Sequence, residues 1–263
     1  MQESLDISWA LMGLFSLTLI IPFTINRIYQ LDLAKEISIS VFRMVAQLAF
    51  IGLYLEFVFQ LNNPLLNTLW IILMIGIGSS SIISKAKLPK KRLLVPVATG
   101  LLVGLSPLVI LLSSVIIQPT PLYSAQYVIP LAGMLLGNSL SGNIVALQNL
   151  FTSLKERESE YHAAIALGAS PHYATLPFVR TAMQKAFAPI MASMATTGLV
   201  TLPGMMTGQI LGGVNPMIAI KYQLLILIAI FVMLTISVTI TLQLTIKNSI
   251  TKEGKVLVSL PTD

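Results

Sequence analysis

The sequence predicts an all-α integral membrane protein with about seven transmembrane helices and a short cytoplasmic helix between two of them. Of its 263 residues 55% are hydrophobic and only 10% are charged, and the mean hydropathy is +0.85. Apolar runs of about 20 residues, the length needed to cross the hydrocarbon core, recur along the chain. One polar segment, residues 153–185, interrupts them. We expect a single transmembrane domain over residues 1–263, ending in a short cytoplasmic tail at 251–263.

The predicted spans follow one another with short connections until residue 186. No charge occurs between residues 186 and 220, and a helix of these 35 residues would be about 52 Å long. Because the hydrocarbon core is only about 30 Å thick, the chain must break there, and Pro203 and Gly204 mark the place. Residues 203–214 are therefore predicted to form a bent or re-entrant piece. The seven predicted spans are 7–28, 37–59, 67–83, 93–117, 126–150, 186–202 and 221–246.

The distribution of basic residues predicts the topology. Fourteen of the 16 lysine and arginine residues fall in alternate loops and the C-terminus, whereas the opposite side holds only Lys221. The positive-inside rule then places the N-terminus outside and the C-terminus and residues 153–185 in the cytoplasm. The net charge of +6 is explained by these loops, so no nucleic-acid partner is expected. The bilayer is the expected environment.

The sequence lacks the motifs of three common classes of enzyme and nucleotide-binding protein. The chain has no Walker A pattern for ATP and no Gly-x-Ser-x-Gly pattern for a nucleophilic serine. It has no cysteine, and its two histidines lack the spacing of a zinc peptidase. We therefore expect neither an enzyme nor a cofactor bound by this chain.

The polar segment has the design of a helix, a turn and a second short element. Alanines favour a helix, Gly168 interrupts it, and Pro171 disfavours further helix at Ser170. Small side chains allow close docking, and the glycine permits a turn that a side chain would strain. An ordinary amphipathic cytoplasmic helix is the alternative. The segment resembles the coupling loop of ATP-binding-cassette (ABC) permeases, with His162 in place of the motif's glutamate. That resemblance implies ATPase coupling through Glu160, His162, Ala163, Ala164, Gly168, Ala169, Ser170 and Pro171.

A second resemblance covers nearly the whole chain. The sequence Gly-Leu-Val-Thr-Leu-Pro-Gly-Met-Met-Thr-Gly-Gln at 198–209, Ile-Pro-Leu-Ala-Gly-Met at 129–134 and Leu-Gly-Ala-Ser at 167–170 resemble the FetB-type permease family. This resemblance implies a homodimeric ABC permease in the bacterial inner membrane. It also implies two copies of a separate ATPase subunit, which would bind ATP and magnesium. Bacterial members are associated with iron export, and plant relatives with aluminium tolerance and, in one case, UDP-glucose transport.

The second predicted span carries polar residues that are costly in lipid. Arg43, with Gln47 one turn further on, should face protein or water, because a charge at mid-membrane costs about 2.5–3.5 kcal/mol. Arg43 is interpreted either as a pathway or gating residue, or as a structural partner of backbone carbonyls or Asn138. Glu56, near the outer end of the span, meets a cation or reaches water.

The fifth span and the break carry the remaining candidates for a pathway or gate. Small residues at intervals of four, such as Gly133 and Gly137, favour close helix packing within the chain or across a dimer axis. The thioether side chains of Met205 and Met206, in the predicted bent piece 203–214, favour soft metals. A hinge or outer gate is nevertheless the preferred interpretation, because methionine is also a common flexible core residue. Whether any residue binds metal stays open. The candidates in these two regions are Asn138, Asn143, Pro203, Gly204, Met205, Met206 and Gln209.

The sequence thus predicts the membrane subunit of an ABC exporter, with a metal ion or metal chelate as cargo by family resemblance alone. An ABC permease for an organic cargo, such as a nucleotide sugar or a lipid, would share every coupling feature. A secondary transporter would need no ATPase but should show an internal repeat, and none is visible. A non-transporting scaffold would tolerate changes at Arg43 and Asn138.

Overall fold

A computed structural model describes residues 7–251 and 253–258 of the chain. Over these ranges the protein is helical, with two isolated β-bridges and no strand. The predicted all-α class is confirmed. The nine helices are α1 (Trp9–Ile28, with a 3-10 turn at Leu17–Leu19), α2 (Ala34–Leu61), α3 (Pro64–Lys85), α4 (Lys90–Ile117, ending in a π-helical turn), α5 (Ala125–Glu156), α6 (Glu158–Ala166), α7 (Pro171–Thr196), α8 (Gly204–Leu211) and α9 (Pro216–Ser249).

Three of these helices begin with the same local device. Asn63, Ser170 and Asn215 each precede a helix, and the side-chain oxygen of each accepts a backbone N–H from the first turn. A proline follows each of them at the first helical position, where its missing N–H has no helical partner to lose. Short polar residues followed by proline thus fix where α3, α7 and α9 start.

The number of spans differs from the predicted seven. Six helices in the described part of the chain are long and apolar enough to cross a membrane, namely α1 to α5 and α9. The span predicted at 186–202 is instead the apolar end of α7, which begins at Pro171 and stops at Thr196. The expectation of a short second element after Gly168 is likewise wrong. One face of α7 is buried at steps of four residues, which keeps the helix continuous through Ala174, Phe178, Ala182 and Ala186.

The break predicted near Pro203 is present. After Thr196 the backbone turns through Gly198, whose φ is +90°, and an isolated bridge joins Thr197 to Thr201. Pro203 then caps α8, and α9 begins at Pro216. The long uncharged stretch is therefore divided into the end of α7, a short helix and the start of α9.

The core lies between α3, α4, α5, α7 and α9, and α1 and α2 lie at its edge. Within the most apolar 18-residue windows of α1 and α2 only 6% of residues are buried, against 50% for α5. A close helix crossing joins α4 to α9 at Gly100, where an added Cβ would lie 2.7 Å from the backbone oxygen of Ser237. A glycine is needed there because no side chain fits between the two backbones.

Candidate functional site

The predicted coupling segment forms a short helix between two long ones. Arg157 leaves helical geometry and separates α5 from α6. The helix ends in a turn in which Gly168 N donates to the Ile165 carbonyl at 2.9 Å and Ala169 N donates to the Ala164 carbonyl at 3.0 Å. Gly168 has a φ of +91°, a conformation that favours glycine. The sequence interpretation of a helix stopped by Gly168 is therefore confirmed.

One face of α6 is anchored to the rest of the protein. The Tyr161 side chain is only 1% exposed, and its ring meets the Phe178 ring edge-on at 6.4 Å. Its hydroxyl donates a 2.8 Å hydrogen bond to the carbonyl oxygen of Gly254. Burial of the hydroxyl raises the pKa of Tyr161 above its ordinary value. The tyrosine therefore stays neutral and remains a hydrogen-bond donor at physiological pH.

The partner of Tyr161 belongs to the region predicted as a short tail. The described residues 249–251 and 253–258 form a tight hairpin, with a bridge between Ile250 and Val256 and a 2.7 Å bond from Leu257 N to the Ser249 carbonyl. Gly254 is buried against Ile165 of α6. Over its described part, the predicted tail is thus a packed element that joins the end of α9 to α6. Residues 252 and 259–263 lie outside the described part.

Charged residues surround the anchored face. Arg157 forms an ion pair with Glu160, and its guanidinium carbon lies 5.0 Å from the centre of the Phe178 ring. The paired guanidinium holds the pKa of the Glu160 carboxyl below its usual range. His162 Nε2 lies 3.5 Å from a Glu158 carboxylate oxygen. These contacts orient the first turn of α6 and leave its last turn uncharged.

The Arg157–Glu160 pair should not make stability pH-dependent near neutrality. The folded-state pKa of Glu160 is depressed, so the contribution of the pair is complete above the unfolded pKa and is lost only as the pH falls through the lower folded value. We expect the difference in melting temperature between wild type and Glu160→Gln to be small, because the pair is exposed, and constant from about pH 6 to 8. Thermal unfolding in detergent at several pH values measures it. A difference that grows toward neutral pH would contradict this assignment.

The other face of α6 and the turn after it are open. Leu167 is 89% exposed and Tyr173, in the first turn of α7, is 70% exposed. His162 and Ala163, which follow the charged first turn of α6, are exposed as well. A side chain at Gly168 would project into open space. The surface thus combines small residues with two projecting apolar side chains, which suits insertion into a cleft of another protein. The remaining predicted coupling residues form the end of α6, the turn after it and the start of α7, namely Ala164, Ala169, Ser170 and Pro171.

The predicted pathway residues of α2 lie at the edge of the fold. Arg43 is exposed and forms neither an ion pair nor a side-chain hydrogen bond within residues 7–251 and 253–258. Arg43 makes no hydrogen bond to Asn138, whose amide nitrogen donates to the Met134 carbonyl on its own helix. Gln47 lines a large groove beside α2. Glu56 is exposed near the end of the helix.

The two asparagines of α5 face different surroundings. Asn138 is exposed and lines a cavity of about 200 Å³ together with Ser141 and Pro189. Asn143 is completely buried and donates 2.9 Å bonds to the Ser139 carbonyl and the Ser237 hydroxyl. The structure therefore does not bring Arg43, Asn138 and Asn143 together into one site within the single chain.

The residues of the predicted gate gather on α8. Pro203 caps this helix and Gly204 is its first residue. Met205 and Met206 are half-buried, and Met205 packs against the main core. Gln209 is half-buried, and its side-chain oxygen accepts no hydrogen bond from the described residues. Among those residues no group of three or more histidine, cysteine, aspartate or glutamate side chains could hold a metal ion.

Comparison with known proteins places the chain in a family. Residues 9–250 match the uncharacterised protein family UPF0014. The chain belongs to the UPF0014 family. It is 33% identical over 214 residues to UPF0014 membrane protein YjkA of Bacillus subtilis, covering 80% of this chain and 84% of that one. It is 34% identical over 202 residues to Protein ALUMINUM SENSITIVE 3 of Arabidopsis thaliana, covering 75% and 71% of the two chains.

Another relative carries a functional name. The chain is 29% identical over 215 residues to the probable iron export permease protein FetB of Escherichia coli, and the match covers 82% of both chains. No solved structure matches the chain. The resemblance to FetB-type permeases is therefore confirmed at the level of the family, and with its apolar helices the chain is a multi-pass membrane protein.

Proposed function

We propose that this chain is the transmembrane subunit of an ABC exporter that moves iron, or another metal ion or chelate, out of the cytoplasm. A separate ATPase subunit, in two copies, would bind ATP and magnesium and supply the energy. Two copies of this chain would form the pathway in the bacterial inner membrane, with the N-terminus outside and the C-terminus in the cytoplasm. The name of the FetB relative supports the cargo class.

The observation that carries the proposal is the geometry of α6. A short helix lies outside the long apolar helices, is anchored on one side through Tyr161 and exposes Ala163 on the other. Exposed Leu167 of the following turn and exposed Tyr173 of α7 lie next to it in the chain. Because α6 follows α5 directly and is joined to α7 by a four-residue turn, a push on α6 reaches two long helices at once. Such an element suits the transfer of motion from a soluble partner to membrane helices.

The open face of α5 supports the second copy. Asn138 and Ser141 are exposed midway along this apolar helix. An amide facing hydrocarbon is costly unless protein or water covers it, and small residues let a second helix approach closely. In the dimer, Asn138 would face the pathway, and the α8 residues Met205, Met206 and Gln209 would form a gate at its other end.

Co-purification with the partner ATPase tests the coupling assignment. We expect Gly168→Trp to abolish retention of the ATPase, because the bulky side chain projects into the open surface where the partner would dock. Gly168→Ala is the matched control: both substitutions strain a φ of +91°, by about 1–2 kcal/mol, but alanine adds little bulk. The alanine variant should therefore keep the ATPase. If neither wild type nor Gly168→Ala ever binds an ATPase, the ABC assignment fails.

The cargo class is tested by stimulation of ATP hydrolysis in the assembled transporter. We expect an iron chelate to raise the ATPase rate and a nucleotide sugar to leave it unchanged, since only bound cargo stabilises the conformation in which ATP is hydrolysed. The opposite pattern would identify an organic cargo and would leave the coupling assignment intact.

A further inference from the structure

A large groove runs along the inner side of α2. It has a volume of about 850 Å³ and lies between α2, α3 and α5. Two contacts bound it: Val58 packs with Ala125 and Ile129 at one end, and the Glu36 carboxylate pairs with Lys85 Nζ at 3.0 Å at the other. Between these contacts α2 stands away from α3 and α5. We call this space the α2 groove.

The wall of the α2 groove is mainly apolar. Met44, Leu73, Met74 and Leu140 are among its lining residues, and Gln47 is one of the few polar ones. A volume between about 300 and 1,000 Å³ with a predominantly apolar lining is typical of sites for small molecules. The lining therefore favours a hydrocarbon occupant over a hydrated ion.

A positive charge lies beside the groove. Arg43 follows Ser40 by three positions and precedes Gln47 by four, so the three residues share one face of α2, and Ser40 and Gln47 both line the groove. Arg43 has no ion-pair partner in the described ranges 7–251 and 253–258. A charge in this position needs a counter-ion that the chain does not supply, and this points to an anionic occupant.

The position of Arg43 along α2 fits a lipid headgroup. Glu36, which pairs with Lys85, marks one end of the helix bundle. Arg43 follows Glu36 by seven residues, so it lies only about 10 Å from that end along the axis of α2. A long arginine side chain can extend along the helix and bring its guanidinium to the level of the headgroups. The five basic residues nearby make this end strongly positive, namely Lys85, Lys87, Lys90, Lys91 and Arg92.

We propose that the α2 groove binds an anionic membrane lipid, with its acyl chains between α2, α3 and α5 and its phosphate paired with Arg43. A second copy of this chain is a poorer occupant. An interface centred on the groove would be symmetric and would bring a second Arg43 toward the first without supplying an anion for either. The proposal does not rest on ATPase coupling, and it gives Arg43 a lipid-binding role in place of the predicted pathway role.

Tryptophan fluorescence offers a direct test, because Trp70 lines the groove and stacks on Tyr54 with ring centres 4.2 Å apart. The only other tryptophan of the chain, Trp9, is 85% exposed and is removed by Trp9→Phe. The full-length variant is placed in phosphatidylcholine vesicles that contain a minor fraction of phosphatidylglycerol. Bromine, which quenches tryptophan, is carried on the acyl chains of one lipid or the other.

We expect brominated phosphatidylglycerol to quench Trp70 with about fivefold higher apparent affinity than brominated phosphatidylcholine, which corresponds to one arginine–phosphate contact near the membrane surface. Arg43→Gln should make the two lipids equivalent. Lys221→Gln, which removes a charge outside the groove, should keep the preference. Equal quenching by both lipids in wild type, or a preference that survives Arg43→Gln, would overturn the proposal.

A pair of glycine variants locates the site. Gly137 lines the α2 groove, whereas Gly76 of α3 does not, and a Cβ at either position meets no atom within 4 Å. Gly137→Leu should reduce quenching by both lipids because it fills the groove, and Gly76→Leu should leave quenching unchanged. Unchanged quenching in Gly137→Leu would place the lipid elsewhere. Absence of quenching in wild type would show that protein covers the groove, which also overturns the proposal.

Discussion

Substituting Gly100 with alanine is expected to lower the free energy of unfolding by about 3 kcal/mol or more, at the upper end of overpacking effects. The added Cβ would lie 2.2 Å from the Thr241 hydroxyl oxygen and 2.7 Å from the Ser237 backbone oxygen. A side chain could rotate away, but a backbone carbonyl inside α9 cannot. The two helices would have to separate at this crossing. Thermal unfolding of the purified protein in detergent measures the effect.

Two further variants make this prediction specific. Gly76→Ala adds the same methyl group where no atom lies within 4 Å, and it should unfold at or slightly above the wild-type temperature, because alanine favours the helix. Adding Thr241→Ala to Gly100→Ala removes the contact with the hydroxyl but leaves the one with Ser237, so stability should recover only in part. If Gly100→Ala melts like wild type, α4 and α9 do not cross as closely as described.

Replacement of Tyr161 is the second change with a large expected effect. Tyr161→Ala removes a buried ring from between α6, α7 and the C-terminal hairpin, and such large-to-small changes cost about 3–5 kcal/mol. The loss should be local, because α6 has no other side chain as deeply buried. We expect faster amide hydrogen exchange in residues 158–166 and weaker retention of the proposed ATPase partner, with the long helices unaffected.

Tyr161→Phe separates the hydrogen bond from the packing. It keeps the ring and removes only the 2.8 Å bond to the Gly254 carbonyl, at a cost of about 1 kcal/mol. Exchange in α6 should therefore rise much less than in Tyr161→Ala. Deletion of the C-terminal hairpin should resemble the alanine variant, since it removes the other side of the same contact. Unchanged protection of α6 in Tyr161→Ala would show that the hairpin does not hold this helix.

Local patterns in the sequence were sufficient for the outline of the fold. Long apolar runs indicate membrane helices whatever their neighbours are, because each helix satisfies its own backbone hydrogen bonds. Pro203 and Gly204 interrupt the apolar stretch for equally local reasons, and Gly168 ends α6 because its φ of +91° favours glycine. The motifs at residues 129–134, 167–170 and 198–209 were sufficient to indicate the family to which the chain belongs, UPF0014.

Other features depended on packing between distant parts of the chain. The bond that anchors α6 joins residues 93 positions apart, and nothing in the composition of the C-terminal residues distinguishes a packed hairpin from a tail. Continuous packing of α7 against α5 overrode the charges of Arg180 and Lys185 in the middle of the helix and removed the predicted span boundary at 186. Arg43 was recognisable as an unusual charge, but only the groove beside it suggests what that charge binds.

The sequence by itself determined the all-α membrane class, the break after α7 and the helix and turn of the proposed coupling segment, because hydropathy, proline and glycine act within a few residues. The tertiary structure alone decided which glycine lies between two backbones, which tyrosine holds α6 in place and where α2 leaves a groove. These features depend on the distances between helices, which are set by how the side chains of separate helices fit together. Such a fit leaves no periodic signal in the sequence of either helix.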